Sequence, residues 1–207
     1  MNIGIIGAGN VGSALARACV TAGHSVCVSA AHAIKAQGLA AETGATAART
    51  NAEAVAEADI VILAVPYSAL AEVAAEMVDE LAGRIVIDVT NTGAPDLDHR
   101  LSTTSAAEEL QVILPEARVV KAFNTVFAAL QPTPTVEGMR LDGLFATDDE
   151  YAREQISALL GGLGYEPLDC GPLIMARALE DMALVNIRLN AVNGWSWHTA
   201  WKLVGVR

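Results

Sequence analysis

The chain has 207 residues, 53% of them hydrophobic, and a net charge of −11. The length suits one α/β unit with a small extension. A mean hydropathy of +0.38 does not imply a membrane span, because the apolar runs are alanine-rich and strand-length, short of the roughly 20 residues that a spanning helix needs. The acidic balance argues against a nucleic-acid partner, which requires a basic face.

Residues 3 to 16 read IGIIGAGNVGSALA: a short apolar strand, the turn Gly7-Ala8-Gly9-Asn10-Val11-Gly12, then the start of a small-residue helix. Glycines at this spacing, between a strand and a helix, form the fingerprint of a dinucleotide site. Gly7 permits the tight turn, Gly9 lets the backbone approach a pyrophosphate, and Gly12 lets the helix pack close to the strand. The anion then meets a helix N-terminus, where free amides and the helix dipole favour negative charge.

The first helix ends near Ala22-Gly23, and Ser25 to Ser29 reads as a second strand. Lys35 to Glu42 suits a helix, Thr46 to Arg49 a weak third strand, and Asn51 to Ala58 a short helix capped by Asn51. Asp59 to Val65 is the strongest strand, apolar on both faces as a central parallel strand is, and stopped by Pro66. Tyr67 to Leu81 places Leu70, Val73, Met77 and Leu81 at helical spacing. Ile85 to Val89 is a fifth strand, Ser105 to Ile113 a helix and Val119 to Phe123 a sixth strand.

Beyond Pro134 the pattern loosens into a strand at Leu141 to Ala146, a helix at Asp149 to Leu160 and a short strand at Glu166 to Asp169. A long helix follows from about Leu173 to Val192, and residues 194–201 carry all three tryptophans, read as the core of a dimer interface. This alternation predicts a Rossmann-type, doubly wound parallel sheet with right-handed crossovers. No Ser/Pro-rich linker interrupts it. The expected organisation is a dinucleotide-binding domain over 1–147, with 148–207 a small α/β-helical extension packed on it for dimerisation and cover of the acceptor site.

Cys19, Cys27 and Cys170 are odd in number and lack metal-ligand spacing, so free buried thiols in a reducing cytoplasm, and no metal, are expected. A first strand that opens at the third residue gives the matching expectation of no targeting segment.

Ligands of open α/β sheets lie outside the carboxyl ends of the strands. Those ends carry Gly7 to Val11, Ser29 to His32, Val65-Pro66-Tyr67-Ser68, Thr90-Asn91-Thr92-Gly93 and Asn124-Thr125. Strand two lacks the acid that an NAD site places about 20 residues past the glycines to bind a ribose 2′-hydroxyl. A 2′-phosphate therefore meets no repelling carboxylate there; Ser29 offers a hydroxyl, and His32 and Lys35 offer charge. Residues 1–50 hold Arg17, Lys35 and Arg49 against the single acid Glu42, a net of +2 with −13 in the remainder. These features favour NADP(H).

The stretches IGIIGAGNVGSALA, ADIVILAVPY, IVIDVTN, VVKAFNT and LDCGPLIMARALE resemble the family of coenzyme F-420 (deazaflavin)-dependent NADP oxidoreductases. They are similar above all to its bacterial relatives and to the NADPH-binding domain of six-transmembrane metalloreductases. The likeness runs from Met1 to about Leu203 and is most specific at residues 119–125 and at Gly171-Pro172-Leu173, Arg177 and Glu180. It implies NADP(H) binding, a homodimer and hydride exchange with a flavin-like ring. By position, Gly7, Ala8, Gly9, Asn10 and Val11 would hold the pyrophosphate. Val65, Pro66 and Tyr67 would lie along the cofactor, Asn91 near its ribose, and Ala122, Phe123 and Asn124 toward the nicotinamide. Where that family follows its strand-two serine with one or two arginines, this chain has Ala30 and Ala31.

Carbonyl reduction needs a positioned acid, and no Tyr-x-x-x-Lys pair occurs; His24, His32, His99 and His198 do not fall at nicotinamide-facing strand ends. Hydride exchange with a flavin or deazaflavin needs chiefly alignment of two rings at about 3–3.5 Å. Asn124 and Thr125 are the candidate catalytic residues for that step, with Met175 or Trp195 as cover. Two alternatives are a small-imine reductase of the pyrroline-carboxylate type, which calls for a longer helical domain than residues 170–207, and a non-catalytic dinucleotide sensor.

Overall fold

The computed structural model describes residues 1–92 and 103–205; Gly93 and His99 lie outside the described residues. Strand β1 (Asn2–Ile6) leads through the glycine turn to α1 (Asn10–Thr21), then β2 (Ser25–Ser29), α2 (Ala33–Thr43), β3 (Thr46–Ala47) and α3 (Asn51–Val55). The second half-unit comprises β4 (Ile60–Leu63), α4 (Tyr67–Ala75), α5 (Val78–Leu81), β5 (Ile85–Asp88), α6 (Ala106–Ile113) and β6 (Arg118–Ala122). A hairpin of β7 (Thr135–Val136) and β8 (Met139–Arg140) precedes β9 (Asp142–Thr147), α7 (Glu150–Gly162), β10 (Glu166–Asp169) and α8 (Ala176–Asn193).

The main sheet has the order β10-β9-β6-β5-β4-β1-β2-β3, parallel from β3 to β6. Its side chains alternate between two cores, as period-two strands require. Ile3, Ile5, Ile60, Ile62, Ile85 and Ile87 face Leu15, Cys19, Leu39 and Ile156. Ile6, Val61, Leu63, Val86 and Val119 face Val55, Leu70, Met77 and Leu110. Burial on both faces explains why β4 and β5 are continuously apolar until Asp88.

Several expectations are corrected. The sheet is not wholly parallel: β9 pairs antiparallel to β6, Lys121 opposite Ala146. Between β6 and β9 the chain holds only the 3-10 turn Ala128–Leu130 and the hairpin, with no crossover helix to bring it back parallel. The helix expected over 67–81 breaks at Met77, whose φ of −129° and ψ of 23° leave the helical region; the bend keeps both Met77 and Leu81 buried on one core. The third strand shrinks to Thr46–Ala47. All three cysteines are free, yet only Cys19 is buried, where burial pushes its thiol up to about 12; Cys27 and Cys170 are partly exposed. Among the described residues, no helix is long and apolar enough to cross a membrane.

Candidate functional site

The three glycines of the turn answer to different demands. Gly7 has φ +111°, and a Cβ there would stand 2.3 Å from the carbonyl oxygen of Ala64, across the point where β1 meets β4. A Cβ on Gly12 would stand 1.9 Å from the oxygen of Gly7. The protein itself therefore requires both. Gly9 is extended, N-caps α1, and has nothing within 4 Å of its Cβ position. No internal contact accounts for that glycine, whose flexibility has an entropic cost, so the open space over it is a cradle that any side chain would fill. No side chain caps α1 and no acid lies in its first turn, which leaves this terminus fit for a phosphate group. A groove of about 590 Å³ runs beside the turn, lined by Ala8, Gly9, Asn10, Arg17 and Lys35 among others.

At the end of β2, Ser29 is buried and its hydroxyl donates to Asn51 Oδ1 at 2.7 Å. Its carbonyl accepts the Gly7 N–H at 2.9 Å. The expected open serine is thus a brace for the turn, since strand burial leaves its proton one partner. His32 N-caps α2 through its backbone alone and is exposed, as is Lys35 one turn on. Arg17, absent from the sequence-based site, reaches the same groove while pairing with Glu42 at 2.8 Å.

Val65 and Pro66 carry the chain from β4 into α4, which opens on exposed Tyr67. The Tyr67 hydroxyl donates to Glu109 Oε2 at 2.7 Å, and this bond is the chief reason its phenol is pushed up to about 12. At neutral pH it is a protonated donor already engaged.

Asn91 and Asn124 interlock at the ends of β5 and β6. Asn124 Nδ2 donates to Asn91 Oδ1 at 2.9 Å and to the Leu179 carbonyl at 3.0 Å, while Asn91 Nδ2 approaches the Asn124 carbonyl at 3.4 Å. Asn124 is only 7% exposed, yet its Oδ1 has no partner among the described residues. Both asparagines line a pocket of about 110 Å³ with Val11, Thr125, Phe127 and Ile187. Buried acceptors are ordinarily satisfied, so this oxygen is left open to a donor.

The turn that presents Asn124 is strained and braced. Phe123 has φ +64°, a left-handed conformation costing about 1–3 kcal/mol for a residue with a side chain. Phe123 is among the residues lining the pocket, its ring edge-on to Tyr165 with centroids 6.0 Å apart, and Ala122 is fully buried. Gln131 Nε2 donates to the carbonyls of Phe123 and Val126 at 2.9 and 3.0 Å, and its Oε1 accepts from the Tyr165 hydroxyl.

Below this turn, Lys121 Nζ donates to Asp88 Oδ2 at 2.8 Å, Glu180 Oε1 at 2.6 Å and the Thr90 carbonyl at 2.5 Å. Glu180 also accepts from Thr92 Oγ1 at 2.5 Å and the Ala106 N–H at 2.9 Å, fastening α8 to the end of β5 and the start of α6. Sequence reasoning gave Lys121, Asp88 and Gln131 no site role, and noted Glu180 only within the family block. One signal was available: Asp88 and Lys121 are opposite charges inside two apolar strands.

The covering residues also differ from expectation. Neither Met175 nor Trp195 lines the 110 Å³ pocket. Trp197 stands edge-on to Phe127 on its wall at 5.4 Å, and Trp201 Nε1 donates to the Met182 carbonyl at 3.1 Å.

The strand order, the glycine turn at the switch point and the polar strand ends define a Rossmann-type nucleotide-binding protein. Residues 2–92 match the profile of the family described as NADP oxidoreductase, coenzyme F420-dependent. The chain is 31% identical over 213 residues to the F420-dependent NADP reductase of Methanothermobacter thermautotrophicus, covering 93% of this chain and 90% of that protein. It is 35% identical over 187 residues to Metalloreductase STEAP3 of Rattus norvegicus, covering 88% of this chain but 36% of that much longer protein. A solved structure from Arthrobacter sp. FB24, provisionally described as an F420-dependent NADP reductase, matches with a TM-score of 0.84 at 27% identity over 99% of this chain and 100% of that one. An imine reductase from Bacillus cereus BAG3X2, at 19% identity and a TM-score of 0.71, shares the fold alone. The chain belongs to the coenzyme F420-dependent NADP oxidoreductase family.

Proposed function

We propose that the protein transfers a hydride between NADP(H) and a flavin- or deazaflavin-type ring at the ends of β5 and β6. The observation that carries this reading is the lining of the 110 Å³ pocket: two interlocked asparagines, Thr125, Asn186 and apolar groups, with no titratable side chain among the described residues. Reduction of a carbonyl or imine calls for a proton donor at the reacting atom, whereas hydride exchange between flat rings calls for alignment. Bound NADPH would supply the hydride from its nicotinamide.

The chain's own residues bind, orient and exclude water. The backbone from Gly7 to Val11 takes the pyrophosphate at the α1 terminus, exposed Lys35 gives the 2′-phosphate side positive charge, and exposed His32 offers it a ring nitrogen. Val65, Pro66 and Tyr67 border the cofactor's path, and Asn91 stands by its ribose. Asn124, its amide protons committed to Asn91 and Leu179, offers Oδ1 alone; that acceptor suits a carboxamide NH₂ or an N–H on the incoming ring. Thr125 completes the wall. A homodimer belongs to the same reading, supported by Val185, Leu189 and Val192, exposed along one stripe of α8.

The test is NADPH oxidation under anaerobic conditions with deazaflavin, FMN, FAD, riboflavin, ferric chelates and cyclic imines. Turnover with a flavin-type ring is the expected result, and NADPH should bind at least as tightly as NADH. Turnover with cyclic imines alone contradicts the reading; tight NADPH binding without any turnover marks a sensor.

A further inference from the structure

The pocket stands over a buried cluster in which, among the described residues, acids outnumber bases. Lys121, Asp88 and Glu180 are each at most 3% exposed. Every oxygen of the two carboxylates acts as an acceptor. Glu180 Oε1 accepts from Lys121 Nζ and the Ala106 N–H, and its Oε2 from the Thr92 N–H and hydroxyl. Asp88 Oδ1 accepts the Thr90 N–H at 2.8 Å, and Oδ2 accepts from Lys121. With donors on all four oxygens, two carboxylates share one ammonium, an excess of acid over base among the described residues. Arg177, one turn before Glu180, is turned instead to Glu108, with bonds of 2.7 and 2.6 Å.

The same groups carry the site. Thr90 and Thr92 flank Asn91 and are bonded to Lys121 and Glu180, and Asn124 donates to Leu179, the residue before Glu180. The field also reaches the rim of the cleft, where Glu180 and Asp88 both add to the upward push on the Tyr67 phenol.

We infer that this excess negative charge stabilises the oxidised nicotinamide, so that Glu180 and Asp88 favour hydride departure from NADPH over its return. The inference rests on the reading that the nicotinamide lies at the ends of β5 and β6. When a hydride leaves C4 of the neutral dihydronicotinamide, carrying a proton and two electrons to the acceptor ring, the nicotinamide is left with one positive charge. The acceptor ring gains the hydride's negative charge, which a proton from water neutralises, while the nicotinamide keeps its positive charge; a buried anion nearby is screened far less than a surface one and favours that cation.

The experiment compares the affinities of NADP⁺, NADPH and the nicotinamide-free fragment 2′-phospho-ADP-ribose in wild type and in Glu180→Gln. NADP⁺ binding should weaken about five- to tenfold more than NADPH binding, with the fragment unchanged within about twofold. A purely structural role would move both redox forms alike, and equal losses overturn the inference while leaving the proposed function intact. Should Glu180→Gln lose the fragment as well, Asp88→Asn is read by the same ratio. Wild-type protein that binds neither NADP⁺ nor NADPH overturns the proposed function itself, and the inference with it.

Discussion

At the glycine turn the cleft offers backbone, shaped by residues adjacent in sequence; at the ends of β5 and β6 it offers side chains held by other side chains from distant elements. Gly7 and Gly12 are packed against their surroundings so that Gly9 can be left bare. Asn124 is aimed by Asn91, Leu179 and the Gln131 brace, and beneath it a lysine and two acids join β5, β6 and α8. Binding a phosphate asks for amides at a helix end, which any sequence can supply if a side chain is withheld. Aligning a reacting ring asks for fixed polar atoms, and these need partners of their own.

Substitutions can set the two ends apart. Lys121→Met should have the largest effect, because two buried carboxylates lose their shared cation; about 3–5 kcal/mol of stability should disappear in urea denaturation. Wild-type stability would mean that the buried ion triad is dispensable. Gly9→Asp should weaken NADPH at least about 100-fold, or about 2.7 kcal/mol, by filling the phosphate space and adding like charge. Its thermal stability should barely change, since its Cβ position is open, whereas Gly12→Ala should destabilise through contact with the Gly7 oxygen. Loss of stability rather than affinity in Gly9→Asp would make that glycine structural too.

Asn124→Ala should slow NADPH oxidation by about 10–100-fold, about 1.4–2.7 kcal/mol, with a much smaller change in NADPH affinity. Lost stability with normal turnover per folded molecule would reduce Asn124 to a turn cap. The smallest effect concerns acid. The Arg177 guanidinium, followed by the Ser105 hydroxyl, holds the Glu108 carboxyl below its usual range. A depressed carboxyl contributes stability above its unfolded value, and that contribution fades as pH falls through the folded one. Arg177→Ala should therefore flatten the stability profile on the acid side of about pH 4.3, read by melting temperature against pH.

The same contrast explains what was legible in the sequence. Six parallel strands, the glycine turn and the polar strand ends follow from contiguous residues and a period of two. The antiparallel β9 was hidden because direction depends on the absence of a crossover helix after β6, a negative feature. Ser29 read as an open donor because a terminal strand serine gives no sign that Asn51, 22 residues on, will take its proton. Glu180 lies 59 residues from Lys121 on a helix of ordinary composition, so only the folded chain brings them together. The strain at Phe123 was equally silent, since φ is set by the Gln131 and Tyr165 contacts and not by the residue's own preference.

The most direct test of hydride exchange is an anaerobic single turnover with NADPH carrying deuterium at both C4 positions and a deazaflavin, following the nicotinamide absorbance and the isotope together. Nicotinamide oxidation should match deazaflavin reduction one for one, with the deuterium in the reduced deazaflavin. NADPH that binds but is oxidised by neither a deazaflavin nor any flavin, or passes its deuterium only to a cyclic imine, would contradict hydride exchange with a flavin-type ring.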